Sequence, residues 1–510
     1  MNEQEAYTEH EDQHGVERLI IVSNRLPVVF QRDDGRLTWR SGSGGLVTAL
    51  APVLRDRGGV WIGWSGLSTD DQEEVNEALS ESSLATGYAL EAVPLTEEEL
   101  ELYYHGFANE VLWPLFHDLQ SHCNFNPDYW HSFRKVNQKF ARSIQRATRK
   151  GDYIWVHDYH LINVGLELRA LDVRSPLGFF LHIPFPPPDI FMKMPWRFSI
   201  LHALLSYDLV GFQTMRDKRN FIQCVRLLLK DIPVRNAGGF HICSTEQRDV
   251  RIGVFPISID HEEFERRARS QEVSEAAWYI HEDLPHQQIV LGIDRLDYTK
   301  GIPYRLQAFR NALRRFPELR ESMTLVQVVV PSRTDIPKYH DLKVEIERMV
   351  SEINGEFTRS GWVPIHYIFR HLTRTELLAY YRTAEIALIT PIKDGMNLVA
   401  KEYSACNIEE NGVLILSEFA GAAAQLHRHA LLVNPYDVEG VAETLRDAFT
   451  MNYDERGKRM RQLRATVRRY DIYRWVESFL DAAFSRHLHD YPVIAEYIPP
   501  EDEDDFGTSV

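Results

Sequence analysis

The sequence predicts an α/β protein made of two doubly wound domains that face a cleft. Three observations carry that expectation. Short apolar runs bounded by polar turns alternate with helix-length segments, a rhythm that requires crossovers and so a parallel sheet with helices on both faces. The rhythm starts at residue 18, passes Pro256-Ile257-Ser258-Ile259-Asp260, which reads as a crossover between domains, and then starts again. The chain has 510 residues, too many for one core at about 100–200 residues per domain.

Taken in order, residues 1–17 are polar and charged without periodicity and read as a disordered tail. Arg18 to Arg25 is an apolar strand that ends Ser23-Asn24-Arg25. It sets an arginine at the carboxyl edge of a sheet, where open α/β folds bind ligands. After a polar loop, Ser41-Gly42-Ser43-Gly44-Gly45-Leu46 opens a helix and reads as an anion cradle. It lacks the Gly-Lys-Ser/Thr of a nucleotide P-loop and the spacing of a dinucleotide fingerprint. Val60 to Gly66 is a short aromatic strand and turn, with Trp64 at its end. Residues 97–113 read as a helix, acidic and then aromatic (Tyr103, Tyr104, Phe107, Trp113). Those rings suit core packing, although an aromatic with a polar tip also makes a sugar platform. Residues 127–149 form a long helix with a basic end, suited to its C-terminus.

Asp152 to Val156 is a strand leading into His157-Asp158-Tyr159-His160-Leu161. Asp158, at the strand's carboxyl end, reads as a base or a hydroxyl acceptor. The two histidines lack the carboxylate of an HExxH pair, so no metal is expected. Leu177 to Pro186 is a buried strand running into a proline-rich turn at His182, a lone histidine of the kind that is usually structural. Tyr207–Phe212 and Val250–Phe255 are strands around a basic helix, Arg216–Lys230. The second half gives strands at 288–293, 324–330, 363–369, 386–389 and 412–416, helices at 302–316, 337–352 and 375–383, and a mostly helical stretch at 440–490.

One turn of that half concentrates chemistry. Thr390 to Glu402 joins an apolar strand to a helix that begins near Leu398. The first N–H groups of a helix lack internal partners, and with the helix dipole they attract phosphate. Gly395 lets backbone approach a ligand closely. Asp394 and Glu402 bracket the turn as acceptors suited to sugar hydroxyls. An ordinary strand-to-helix connection with a capping Asp would read the same way.

Composition narrows the class. Apolar content of 44% and charged content of 26% are ordinary for a soluble globular protein. The net charge of −17 argues against non-specific nucleic-acid binding, which needs clustered Lys and Arg. It leaves room for an anionic small substrate in a local basic pocket. Cys123, Cys224, Cys243 and Cys406 show no zinc spacing and read as buried thiols in a reducing compartment. No run of 18 apolar residues is present, and the N-terminus is unlike a signal peptide. The expectation is a cytoplasmic enzyme without membrane or nucleic-acid partners.

The motifs occur in one order: Ser23-Asn24-Arg25, Gly44-Gly45, Val111-Leu112-Trp113-Pro114, His157 to Leu161, Phe180 to Pro186, Arg295-Leu296-Asp297-Tyr298-Thr299-Lys300-Gly301, and Asp394 to Glu402. Together they closely resemble the trehalose-6-phosphate synthases, retaining glycosyltransferases of the GT-B type with two Rossmann-like domains. The resemblance spans about residues 18 to 490. It implies an acceptor-binding domain at 18–258, a nucleotide-sugar domain at 259–475, a helix at 476–492 packing back on the first domain, and an acidic tail at 493–510. It also implies the reaction: glucose passes from a nucleotide diphosphate glucose, usually UDP-glucose, to glucose 6-phosphate, with no metal and no cofactor.

The roles implied are these. Arg295 and Lys300 hold the donor diphosphate, Glu402 the ribose diol, and Leu372 the base. Asp394 and the backbone of Gly395, Met396, Asn397, Leu398 and Val399 cradle the donor sugar and phosphate. His182 lies near the transferred sugar, and Gly44 and Gly45 belong to a loop that covers the donor. Arg25, Tyr104 and Arg333 hold the acceptor phosphate, Asp158 meets the acceptor hydroxyl, and Trp64 and Trp113 lie near the acceptor pocket. The implied mechanism is attack on the face from which diphosphate leaves, with catalysis by positioning and charge stabilisation. Family members form dimers and tetramers, and no surface for either can be picked from the sequence. A sister enzyme with another acceptor, such as a glucosylglycerol-phosphate synthase or a pseudo-glycosyltransferase, and a non-catalytic sugar-phosphate sensor are the alternatives.

Overall fold

Strands form where the apolar runs fall. The computed structural model describes residues 18–485 apart from 34–35, 43–44, 68–71, 285–286 and 333–336. The chain divides into two units. One runs to Ile257 and resumes at Ile472; the other takes Ser258–Asp471.

The first unit holds β1 (Arg18–Arg25), β2 (Val28–Asp33), β3 (Arg36–Ser41), β4 (Gly59–Trp64), β5 (Ala89–Ala92), β6 (Asp152–His157), β7 (Leu177–Phe180), β8 (Leu209–Phe212), β9 (Val234–Ala237), β10 (Phe240–Ser244) and β11 (Asp249–Val254). Its main sheet has the order β5-β4-β1-β6-β7-β8-β11-β10-β9 among the described residues. Pairing is parallel from β5 to β11. It turns antiparallel at the β9–β10 edge, where Gly238-Gly239 closes a hairpin. A second hairpin, β2–β3, lies in the segment expected as a polar loop. Val28, Phe30 and Leu37 are its buried side chains.

The aromatic segment expected as a helix is one, but wound wide. A capping box at Thr96 starts it: Thr96 Oγ1 accepts from Glu99 N at 3.2 Å, and Glu99 Oε2 accepts from Thr96 N at 3.1 Å. From Leu100 to Leu112 the winding is π, a form uncommon beyond one turn and frequent at functional sites.

Helix Ile472–Phe484 packs on this unit's sheet. The Phe479 ring stacks on Trp155 at 4.2 Å. Trp475 Nε1 donates to Phe255 O at 3.1 Å.

The second unit holds β12 (Gln288–Arg295), β13 (Met323–Val330), β14 (Ile365–Phe369), β15 (Ile386–Ile389), β16 (Val413–Ser417) and β17 (Leu431–Val433). Their order is β14-β13-β12-β15-β16-β17, parallel throughout. Ile289, Leu291 and Ile293 enter one apolar cluster and Val290 the other. Burial on both faces is why these strands read as unbroken apolar runs.

Strand order reverses between β1 and β6 in the first sheet and between β12 and β15 in the second. Such switch points open a crevice at the carboxyl ends of the strands, where doubly wound folds bind ligands. Among the described residues no helix is long and apolar enough to cross a membrane.

Candidate active site

At the switch point of the second unit, β12 ends on Arg295, whose exposed guanidinium has no partner among the described residues. The chain then turns tightly. Asp297 Oδ1 accepts from Thr299 N at 3.0 Å and from Thr299 Oγ1 at 2.9 Å. Gly301 takes φ +66°, and a Cβ there would lie 2.4 Å from the Thr390 carbonyl oxygen. That contact brings the turn against the one after β15. Ile392 N donates to Thr299 O at 2.9 Å, and Lys300 Nζ reaches Asp394 Oδ2 at 2.6 Å.

Asp394 builds the second turn. Its Oδ1 accepts from Met396 N at 3.1 Å, and its Oδ2 accepts from Asn397 Nδ2 at 3.2 Å. Asn397, left-handed at φ +63°, caps helix Leu398–Cys406 by accepting from Ala400 N at 3.2 Å. The N–H groups of Leu398 and Val399 find no acceptor among the described residues and remain for an anion. One turn along that helix, half-buried Glu402 accepts from Tyr381 OH at 2.8 Å through Oε2. Burial pushes the carboxyl's pKa up, against the bond from Tyr381. Leu372 is half-buried against the sheet core, just before the helix cap at Thr373.

Two supports of this site went unread in the sequence. Arg305 is fully buried, donating to Asp294 Oδ2 at 2.7 Å, Thr390 Oγ1 at 3.1 Å and Gln327 Oε1 at 3.3 Å. It ties the ends of β12 and β15 to β13. The available signal was Gln327, a polar residue inside an apolar strand, which needs a buried partner. The other support is Gly421: a Cβ there would sit 1.8 Å from Gly395 O. Gly421 N donates to Asp394 O at 2.9 Å and Ala422 N to Met396 O at 2.7 Å, so this segment carries the Asp394–Asn397 turn.

At the switch point of the first unit, β1 ends on Arg25. Its guanidinium lies 4.8 Å from the centre of the Trp64 ring and makes no hydrogen bond with the described residues. Trp64 is buried, its Nε1 donating to Leu67 O at 3.0 Å. Tyr104, half-buried on the π-helix, lies 6.4 Å from Trp64 and stacks on His160 at 5.7 Å. Trp113 is buried against His117 and Tyr159, with ring centres 4.3 and 5.8 Å away. Asp158, just after β6, has φ +75° and ψ 165°, a region that L-residues other than glycine occupy only under strain. Its Oδ1 accepts from His182 N at 3.3 Å, while its own N–H donates to Phe180 O at 2.8 Å. His182 is buried beside His157, its Nε2 3.2 Å from His157 Nδ1. Burial holds the His182 pKa down at about 3, so the ring is a neutral hydrogen-bonding group.

Thus Arg295, Lys300, Asp394, Gly395, Met396, Asn397, Leu398, Val399 and Glu402 gather on one turn pair, with Leu372 on the same unit. Arg25, Trp64, Tyr104, Trp113, Asp158 and His182 belong to the other unit. Gly45 opens helix Gly45–Arg57 there. Gly44 and Arg333 lie outside the described residues. No group of three or more His, Cys, Asp or Glu among the described residues could hold a metal ion.

Residues 17–484 match glycosyltransferase family 20. The trehalose-6-phosphate synthase of Mycolicibacterium smegmatis is 42% identical over 502 residues, covering 97% of this chain and 98% of its own. That of Mycobacterium tuberculosis H37Rv is 42% identical over 490 residues, covering 95% and 98%. Among solved structures, the E. coli protein bound with UDP-2-fluoro glucose is 34% identical, with a TM-score of 0.82 over 91% of this chain and 98% of its own. The UDP-forming α,α-trehalose-phosphate synthase of Burkholderia xenovorans in complex with glucose-6-phosphate is 33% identical, with a TM-score of 0.81 over 91% and 99%. The resemblance read from the ordered motifs is borne out, and the chain belongs to glycosyltransferase family 20.

Proposed function

We propose that the chain transfers glucose from UDP-glucose to glucose 6-phosphate with retention, giving α,α-trehalose 6-phosphate and UDP. The observation that carries the reading is Arg295. It is a guanidinium without a partner among the described residues, at a switch point and next to a turn that fixes Lys300 2.6 Å from Asp394 and leaves helix N–H groups unused by the described residues. Two cations and a helix start suit a departing diphosphate, because fixed charges stabilise what develops there without reorganising. Glu402 Oε1 takes the ribose diol, Leu372 borders the base, and Gly44 and Gly45 cover the donor.

On the acceptor side, Arg25, Tyr104 and Arg333 hold the phosphate, Arg being well matched to it by its forked donors. Trp64 and Trp113 wall the hexose. Asp158 orients the attacking hydroxyl, and His182 sits at the transferred sugar. The hydroxyl attacks the anomeric carbon on the face that the diphosphate leaves, and a diphosphate oxygen takes the proton. No side chain serves as a nucleophile, so rate comes from alignment and charge stabilisation.

A fluorinated analogue of the donor and the acceptor itself accompany relatives: UDP-2-fluoro glucose with the E. coli protein and glucose-6-phosphate with the B. xenovorans enzyme. The test is direct. Purified protein is given UDP-, GDP- or ADP-glucose with glucose 6-phosphate, and the product is followed by nucleotide release and by NMR of the new linkage. An α,α-linkage formed with UDP-glucose is the expected result. Release with glycerol 3-phosphate but not with glucose 6-phosphate would replace the acceptor. Nucleotide binding with no transfer to any acceptor would make the protein a sensor.

A further inference from the structure

His157 ends β6 and His182 follows β7, so neighbouring strands deliver the two rings to one place. Both are buried. Aromatic rings surround them: Trp155 4.7 Å from His157, Phe180 4.7 Å from His182, and Trp475 6.3 and 6.2 Å from the two histidines. His157 Nδ1 and His182 Nε2 are 3.2 Å apart. Two neutral imidazoles share such a contact with one proton, so one ring donates and the other accepts.

If His182 donated from Nε2, His157 would have to carry its own proton on its other nitrogen. That nitrogen, His157 Nε2, is buried and reaches no protein acceptor among the described residues. A buried N–H with no acceptor keeps its full desolvation penalty, and such groups are rarer than under-used acceptors. The opposite arrangement leaves only a bare lone pair there. We infer that His157 donates from Nδ1 and locks His182 in the tautomer protonated at Nδ1, so that His182 offers an N–H, not a lone pair, to an oxygen of the transferred hexose. His182 Nδ1 has no hydrogen-bond partner among the described residues, and the His182 backbone is steadied by its bond to Asp158. His157 is therefore a positioning residue that acts through His182. This inference rests on the proposed place of His182 at the transferred sugar.

The tautomer is read by long-range proton–nitrogen NMR of the full-length protein labelled with 15N-histidine, the His182 signals being assigned by their loss in His182→Asn. A protonated Nδ1 and a pyridine-type Nε2 are expected, and a protonated Nε2 overturns the inference. Kinetics supply a second readout. His157→Asn places an amide donor near the lost Nδ1 and should keep most of the turnover. His157→Phe keeps ring volume without a donor and should lose about 10–100-fold in kcat, by analogy with partners that orient metal-bound histidines, with KM for glucose 6-phosphate unchanged. Equal turnover in the two variants overturns the positioning role. Full turnover in His182→Ala would instead remove His182 from the sugar, and the inference would fall with that placement whatever the tautomer.

Discussion

Arg25 and Arg295 occupy equivalent places: each is the exposed last residue of the first strand of its sheet, beside a switch point. Arg25 was legible in the sequence, because an arginine closing an apolar strand is visible without any contact; Arg295 was reached only through the resemblance, since the apolar run stops at Ile293 and the strand continues to Arg295. Arg305 was not legible, because an arginine four residues into an amphipathic helix reads as a solvated charge. Arg295→Ala should lower kcat by about 10²–10³-fold, or ~2.7–4 kcal/mol, the effect typical of removing one preorganised charge-stabilising donor. Steady-state turnover checks this, with the unfolding midpoint confirming the fold. The His157–His182 pair makes a separate prediction about pH. Burial lowers the His182 pKa from 6.5 to about 3. His157 is driven the same way, by burial first and by His182 second. Both folded values lie below the unfolded ones, so in the interval the unfolded chain binds more protons. Stability from this pair is full above pH 6.5 and is lost as pH falls toward 3. The slope reaches at most about 1.4 kcal/mol per pH unit for each histidine. Denaturant midpoints measured stepwise below neutrality should fall, and less steeply in His157→Phe.

At the scale of elements, the turn proposed to hold the donor stands on Gly421 as much as on its own sequence. Gly421→Ala puts a methyl 1.8 Å from Gly395 O and must push the Asp394–Asn397 turn aside. The expected result is at least about a tenfold loss of UDP-glucose affinity, ~1.4 kcal/mol, with the melting temperature lowered little. Calorimetric titration measures it, and unchanged affinity would show that the turn does not depend on this contact. Strands β12, β13, β14, β15 and β16 were legible because their runs are mainly apolar, and β17 (Leu431–Val433) was missed because three residues are too short a run to stand out. The winding of Leu100–Leu112 was not legible, since π and α forms share one apolar composition and differ in which carbonyl each N–H selects. The β2–β3 and β9–β10 hairpins of the first unit were missed for another reason. Their turn residues, including Gly238-Gly239, were present, but short strands among charged residues do not stand out by hydropathy.

At the scale of the whole chain, the repeated strand–helix rhythm was enough to foresee two doubly wound sheets. The chain's last described helix, Ile472–Phe484, closes the first unit after the second has been completed. Trp475, Val476, Phe479 and Leu480 are buried. Each buried side chain of this kind contributes about 1.5–3 kcal/mol, and four approach the usual net stability of a domain. A chain ended at Asp471 should therefore lose the cooperative unfolding of the first unit while the second keeps its own, seen as one missing transition in calorimetry. Retention of both transitions would show that the helix is dispensable. The helix's own apolar stripe says that it packs and not on which sheet; only the family resemblance implied a helix, at 476–492, returning to the first domain.

The backbone of Asp158 carries a further consequence. At φ +75° and ψ 165° it holds a shape that glycine adopts without penalty and a carboxylate-bearing residue does not. Asp158→Gly relieves about 1–3 kcal/mol of backbone strain and forfeits the bond from His182 N to Asp158 Oδ1, so the melting temperature should move little while turnover falls, on the proposed role of Asp158. Thermal selection alone would therefore exert little pull to keep a carboxylate where glycine sits at ease; only selection for turnover would hold it there.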